Sequence, residues 1–183
     1  MNNNRYVCCI GRPSYQKNTF FLVDVVEKVI SSIPDFKFHL LGVGFYSPEK
    51  DILLDKIEKK SLQNHIHLIP WLSHPETLKY LQNSLFYVNT ALYEGLPLSV
   101  IEAMSLGKAV VVSKVAGNID CVANGENGFV LELDSRLFAE KIVELYRNED
   151  LRTRFGKRSR AMFEQNFLIT KRIAELENIY REK

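Results

Sequence analysis

Hydrophobic positions along the chain fall into two alternating kinds of segment: short runs rich in β-branched or aromatic residues, and longer stretches of helical period. Residues 6–10 read as a first strand, closed by Gly11. From Asn18 onward, Leu22, Val25, Val26, Val29, Ile30 and Ile33 share one helical face until Pro34-Asp35 breaks it. Residues 36–41 form the next strand, followed by Gly42-Val43-Gly44. Ser47-Pro48 reads as a helix start, serine as N-cap and proline in the first helical position, with the helix running to about Ser61. Residues 66–69 are a third strand, stopped by Pro70. Ser73-His74-Pro75-Glu76 matches a capping box and opens a short helix to about Gln82. Residues 85–88 form a fourth strand; the loop after it carries Glu94-Gly95-Leu96, and Pro97 opens a helix that Gly107 closes. Residues 109–112 are continuously apolar, as expected of a strand covered on both faces, and 127–131 supply a sixth, smaller strand. Helices are expected over 135–148, 150–165 and 169–181, the last with Ile169, Ile173, Leu176 and Tyr180 as its buried stripe.

Alternating strands and helices predict an α/β fold: a Rossmann-like, doubly wound parallel sheet with additional C-terminal helices. One domain is expected over 1–183, with about 1–165 as the Rossmann-like body and about 166–183 as a terminal helix. There is no internal repeat or low-complexity tract. With 183 residues, 46% of them hydrophobic, the chain can bury a core, and a net charge of +2 gives no case for nucleic-acid binding. Cys8, Cys9 and Cys121 are odd in number, two of them adjacent, and none has metal-ligand spacing. They read as reduced thiols of a cytoplasmic protein. The polar start Met1-Asn2-Asn3-Asn4-Arg5 leads straight into a strand, so no leader is expected, and no apolar run approaches the ~20 residues that span a bilayer. Arg152, Arg154, Lys157, Arg158 and Arg160 crowd one helix among Leu151, Phe155, Met162 and Phe163. A basic amphipathic helix can lie on anionic lipid, so peripheral contact at the inner face of a membrane stands beside the plainer reading of a solvated helix face.

Ligands of open α/β sheets bind beyond the carboxyl ends of the strands, which singles out three loops. In Gly11-Arg12-Pro13-Ser14-Tyr15-Gln16-Lys17-Asn18, Gly11 lets a ligand approach the backbone, Arg12 offers a planar fork of donors and Lys17 a mobile point charge. The helix that follows adds free N–H groups, and the set suits a diphosphate. Two solvated surface cations are the alternative. The loop is neither a Walker A motif nor a dinucleotide fingerprint. Gly42-Val43-Gly44 makes a tight turn, with or without a ligand against it. In the third loop Glu94 precedes a helix start, Gly95 and Leu96 present N–H groups, and Glu102 lies about two turns into the helix. A carboxylate so placed either points to solvent or accepts two hydrogen bonds at once, as from ribose hydroxyls.

Two glutamates separated by seven residues, within Tyr93-Glu94-Gly95-Leu96-Pro97-Leu98-Ser99-Val100-Ile101-Glu102-Ala103-Met104, closely resemble the signature of retaining GT-B glycosyltransferases of the group 1, or family 4, class. The resemblance extends in order through Gly11-Arg12 with Lys17, Gly42-Val43-Gly44, residues 106–113, the loops 115–120 and 124–128, and the closing residues 171–180. It implies one half of a GT-B fold, the half that holds a nucleotide-diphosphate sugar, UDP- or GDP-linked, with no metal and no further cofactor. Arg12 and Lys17 would grip the diphosphate beside Gly11 and Gly44 and neutralise the departing charge. Glu94 would be the catalytic-site contact to the transferred sugar. Gly95, Leu96 and Leu98, around Pro97, would offer backbone N–H groups to sugar or phosphate. Glu102 would bind the ribose, and the nucleobase would lie near Pro70-Trp71-Leu72. Pro70-Trp71, where the family has a small residue, and Asp120, where it has glutamate, depart from the pattern. The N-terminal acceptor domain of such enzymes would be absent here, so binding with little transfer alone is expected. The sugar would be hexose-type and the acceptor a glycan or lipid-linked, as in surface-polysaccharide assembly. A non-catalytic nucleotide-sugar-binding subunit acting with a partner protein is the alternative. A sugar phosphorylase or an epimerase on the same scaffold is a third reading, and the Glu-Gly-Leu-Pro segment speaks against the epimerase.

Overall fold

Strands covered on both faces are built mainly of apolar side chains, and the sheet forms where the apolar runs are shortest and densest. The computed structural model describes residues 5–44, 47, 49–170, 173, 177, 180 and 181. Within them β1 (Val7–Ile10), α1 (Thr19–Ile30), β2 (Phe38–Leu41), α2 (Lys50–Lys59), β3 (Ile66–Ile69), α3 (His74–Asn83) and β4 (Tyr87–Asn89) follow in turn. They are succeeded by α4 (Leu98–Ser105), β5 (Val110–Ser113), α5 (Ala116–Cys121), β6 (Gly128–Leu131), α6 (Ser135–Arg147) and α7 (Glu149–Asn166).

The strands pair in parallel in the order β3-β2-β1-β4-β5-β6. Alternate side chains feed two cores. Val7, Cys9, Leu40, Val88 and Val111 face one cluster with α1, α2 and α6. Tyr6, Cys8, Leu41, Tyr87, Val110 and Val112 face the other, with residues of α3, α4 and α5. The winding reverses between β1 and β4, so the loops after these two strands diverge and leave a crevice at their carboxyl ends. Burial pushes the Cys8 thiol up to about 12 and those of Cys9 and Cys121 up to about 11. All three are free and buried, and burial disfavours the thiolate form in which a cysteine reacts.

Several elements differ from their sequence expectation. Helix α1 ends at Ile30, before Pro34, because Ser32 and Ile33 both turn their N–H groups onto the Val29 carbonyl. Ile33 is nevertheless buried. Pro48 lies outside the described residues, and α2 begins at Lys50; the Ser47 hydroxyl accepts the Gly44 N–H at 3.1 Å instead of capping that helix. Pro97 sits at the N-cap of α4, one position before the first helical residue. A short helix, α5, replaces the expected glycine loop at 116–121. The terminal stripe is not buried: Ile169, Ile173 and Tyr180 are 71%, 49% and 76% exposed, and Leu176 lies outside the described residues. Helical period marks an apolar side but not what covers it, and the sheet-and-helix body does not cover this one.

In α7 the apolar side turns inward: Phe155 is buried, and Leu151, Met162 and Phe163 pack on the two cores. Arg152 donates to the carbonyls of Leu145 and Tyr146, Arg158 pairs with Glu126 and Arg160 with Glu164. Arg152, Arg158 and Arg160 thus have protein partners, while Arg154 and Lys157 are exposed. No helix among the described residues is long and apolar enough to cross a membrane.

His39 on β2 lies flat on Tyr6, ring centroids 4.1 Å apart, with His67 of β3 edge-on at 5.1 Å. Burial, and then the neighbouring His67, lower His39 to about 4. A depressed folded value favours the neutral ring, so its stabilising effect is full above the unfolded value near 6.5 and is lost as pH falls towards 4. Urea unfolding should show wild type losing about 2 kcal/mol more than His39→Phe between pH 7 and 4, allowing for the ring's partial exposure. Parallel pH profiles for the two proteins would refute it.

Candidate functional site

The crevice between β1 and β4 is built by two loops that are tied together. Gln16 accepts the Leu92 N–H on its carbonyl at 2.9 Å and donates its side-chain amide to the Tyr93 carbonyl at 3.2 Å. The Thr90 hydroxyl donates to the Lys17 carbonyl at 3.1 Å. These bonds set Lys17 opposite Glu94, and the ammonium lies 2.7 Å from Glu94 Oε1. The carboxylate side chain is 6% exposed and the lysine 22%. Gly11 makes room for this pair: a Cβ there would meet the Lys17 stem at 3.1–3.2 Å. Arg12 is exposed beside it, on the same loop.

The remaining candidates surround this pair or stand apart from it. Gly42, at φ +91, forms the turn after β2, and both Gly42 and Val43 donate to the Ile69 carbonyl. Gly44 lies next to Trp71, whose Cβ is 4.0 Å from where its own would stand. Trp71 is 77% exposed, whereas Leu72 packs partly into the second core. Gly95 and Leu96 are exposed, and Pro97 is buried. The Leu98 N–H, expected to face a ligand, is committed to the Leu96 carbonyl at 2.9 Å. The tight turn before α4 consumes that donor. Glu102, from the second turn of α4, meets His74 of α3, Nε2 to Oε1 2.9 Å. A carboxylate only accepts, so the His74 nitrogen that faces it carries the hydrogen.

Sequence reasoning missed the support behind Glu94. Asn89, Ser113 and Asn118 are all buried there. Asn89 Nδ2 donates to Glu94 Oε1 at 3.3 Å, and Asn118 Nδ2 donates to the Ser113 carbonyl at 3.0 Å. Gly117 of α5 donates its N–H to the Glu94 carbonyl at 3.1 Å. Polar residues closing otherwise apolar strands, Asn89 after Tyr87-Val88 and Ser113 after Val110-Val111-Val112, were the available signal. No group of three His, Cys, Asp or Glu able to hold a metal occurs among the described residues. Chemically, the site offers a cation and a carboxylate side by side at the mouth of a parallel sheet, with a second carboxylate on the adjoining helix.

Residues 2–162 match the sequence model of the family described as Glycosyl transferases group 1. The chain belongs to that family. It is 32% identical over 153 residues to the poly(ribitol-phosphate) alpha-N-acetylglucosaminyltransferase of Staphylococcus aureus (strain COL), covering 82% of this chain and 30% of that protein. It is 29% identical to the capsular polysaccharide biosynthesis glycosyltransferase CapM of Staphylococcus aureus, covering 98% of this chain and 47% of the relative. The chain therefore spans about a third to a half of these two relatives. Among solved structures, a mutant of S. aureus TarM in complex with fondaparinux, alpha-GlcNAc-glycerol and UDP superposes with a TM-score of 0.88 at 29% identity, over 96% of this group 1 chain and 35% of that one. The C-terminal domain of a group 1 family protein (LpcC) from Francisella tularensis shares the fold at a TM-score of 0.79 and 21% identity, with 88% of this chain and 86% of that one covered. The parallel six-stranded sheet is thus one Rossmann-like unit of the GT-B architecture.

Proposed function

We propose that this chain binds a nucleotide-diphosphate sugar and forms the donor half of a retaining glycosyltransferase, which moves a hexose-type sugar to a glycan or lipid-linked acceptor. The Lys17–Glu94 pair at the switch point of the sheet is the observation that carries the reading. Arg12 and Lys17 take the diphosphate and neutralise charge as it leaves with the nucleotide. Glu94 faces the transferred sugar. Glu102 receives the ribose hydroxyls, and the base lies against Trp71 and Leu72. The UDP named with the TarM structure supports a uridine or similar nucleotide. Transfer also needs an acceptor held in register with the donor. Such positioning is worth many orders of magnitude in rate, so this chain by itself binds and does not turn over appreciably.

Calorimetry with UDP-, GDP- and ADP-linked sugars tests the proposal. One nucleotide should bind, and Glu102→Ala should weaken it by about tenfold, the worth of hydrogen bonds to a charged group. Silence from the wild-type protein across the whole panel at millimolar ligand would sink the reading.

A further inference from the structure

The buried amides behind Glu94 determine which of its oxygens faces the crevice. Asn89 is 2% exposed and Asn118 is fully buried. Asn89 Oδ1 accepts the Ala91 N–H at 2.9 Å and lies 3.5 Å from Asn118 Nδ2. Flipping this amide would set N–H against N–H, so its orientation is fixed by the neighbours and Nδ2 must face Glu94. Asn118 is fixed in turn by the Ser113 carbonyl at 3.0 Å and the Ser113 hydroxyl at 3.2 Å. Ser113 donates that hydroxyl to the Ala91 carbonyl at 2.6 Å. Lys17 and Asn89 both reach Oε1 of Glu94, at 2.7 and 3.3 Å. No protein partner reaches Oε2 among the described residues.

Burying three polar side chains, two at strand ends and one on α5, costs free energy that apolar residues of similar shape would not. A purely structural role does not require them, whereas fixing the orientation of a carboxylate does. Lys17 has three donors and can turn towards a phosphate; the Asn89 bond depends on no ligand. We propose that Asn89, backed by Asn118, is a positioning residue that holds Glu94 by Oε1 and presents Oε2 to the sugar of the donor. This rests on the donor reading above.

The first test needs no ligand. In the side-chain amide NMR spectrum of the whole chain, Glu94→Ala should move the Asn89 NH2 resonances, and unmoved resonances would overturn the hydrogen bond. The second compares UDP, GDP and ADP with their glucose- and N-acetylglucosamine-linked forms by calorimetry. The affinity that the sugar adds to the diphosphate should fall about tenfold in Asn89→Ala. It should fall further in Asn89→Asp, which sets an acceptor against an acceptor. Affinity for the bare diphosphate should change by less than a factor of about two in Asn89→Ala, a split that general loosening of the fold would not produce. Equal sugar increments in wild type and Asn89→Asp overturn this inference alone. So does an equal loss for sugar-linked and bare nucleotide. A wild-type protein that binds none of the diphosphates overturns the donor reading, and this inference with it.

Discussion

Gly117→Ala is expected to cost at least about 3 kcal/mol of stability and to remove nucleotide-sugar binding in whatever folded protein remains. A Cβ at this position would stand 2.4 Å from the Gly95 carbonyl oxygen and 2.8 Å from that of Glu94. Both obstacles are main chain, so no rotamer change relieves them. Neither side has slack. On one side α5 is pinned by Asn118 to Ser113, and on the other the Glu94 loop is pinned by Lys17 and Asn89. The Gly117 N–H also donates to Glu94 at 3.1 Å, a bond that any separation breaks. The loop can yield only by carrying Glu94 away from Lys17, which couples the stability loss to the site. Gly95→Ala provides the contrast, since nothing lies within 4 Å of its Cβ, and it should cost less than about 1 kcal/mol. Urea unfolding and calorimetric titration of the two variants check this. A Gly117→Ala protein with wild-type stability and affinity would show that the approach of α5 to the loop is not tight.

How far the sequence reveals this molecule depends on the range of the interactions involved. The strands were legible because residues buried on both faces are mostly apolar, so Val110-Val111-Val112 signals itself locally. The short helix α5 was not, since six residues containing a glycine carry no helical period to detect. The stripe of Ile169, Ile173 and Tyr180 has the period, yet burial depends on a partner surface that periodicity does not describe. The same division runs through the site. Lys17 and Glu94 stand in recognisable loops after strands, and the fold brings them to 2.7 Å. Asn89 and Asn118 act through contacts between residues 29 positions apart, and the need for glycine at 117 arises from a carbonyl 22 positions away. His74, adjacent to a capping serine, was visible as helix punctuation but not as a partner of Glu102.

Lys17→Met should lower stability by about 2 kcal/mol and weaken binding of the nucleotide sugar by about 100-fold. The two losses have different origins, and a second substitution separates them. Stability falls because Glu94, only 6% exposed, loses the ammonium and retains only Asn89 as its side-chain donor among the described residues. Removing one partner of a fully buried pair costs about 3–5 kcal/mol; the lysine is 22% exposed, so water recovers part of that here. Neutralising the stranded carboxylate should therefore restore much of the stability in Lys17→Met/Glu94→Gln, giving a coupling of about 1–2 kcal/mol in a double-mutant cycle. Binding falls for another reason: the diphosphate loses the cation that meets it. The double variant should accordingly remain at least 100-fold weaker than wild type for the bare nucleoside diphosphate, about 3 kcal/mol. If Glu94→Gln rescued nucleotide affinity along with stability, Lys17 would act through the order of the Glu94 loop, and the phosphate-binding role would belong to Arg12 and the N-terminus of α1 alone.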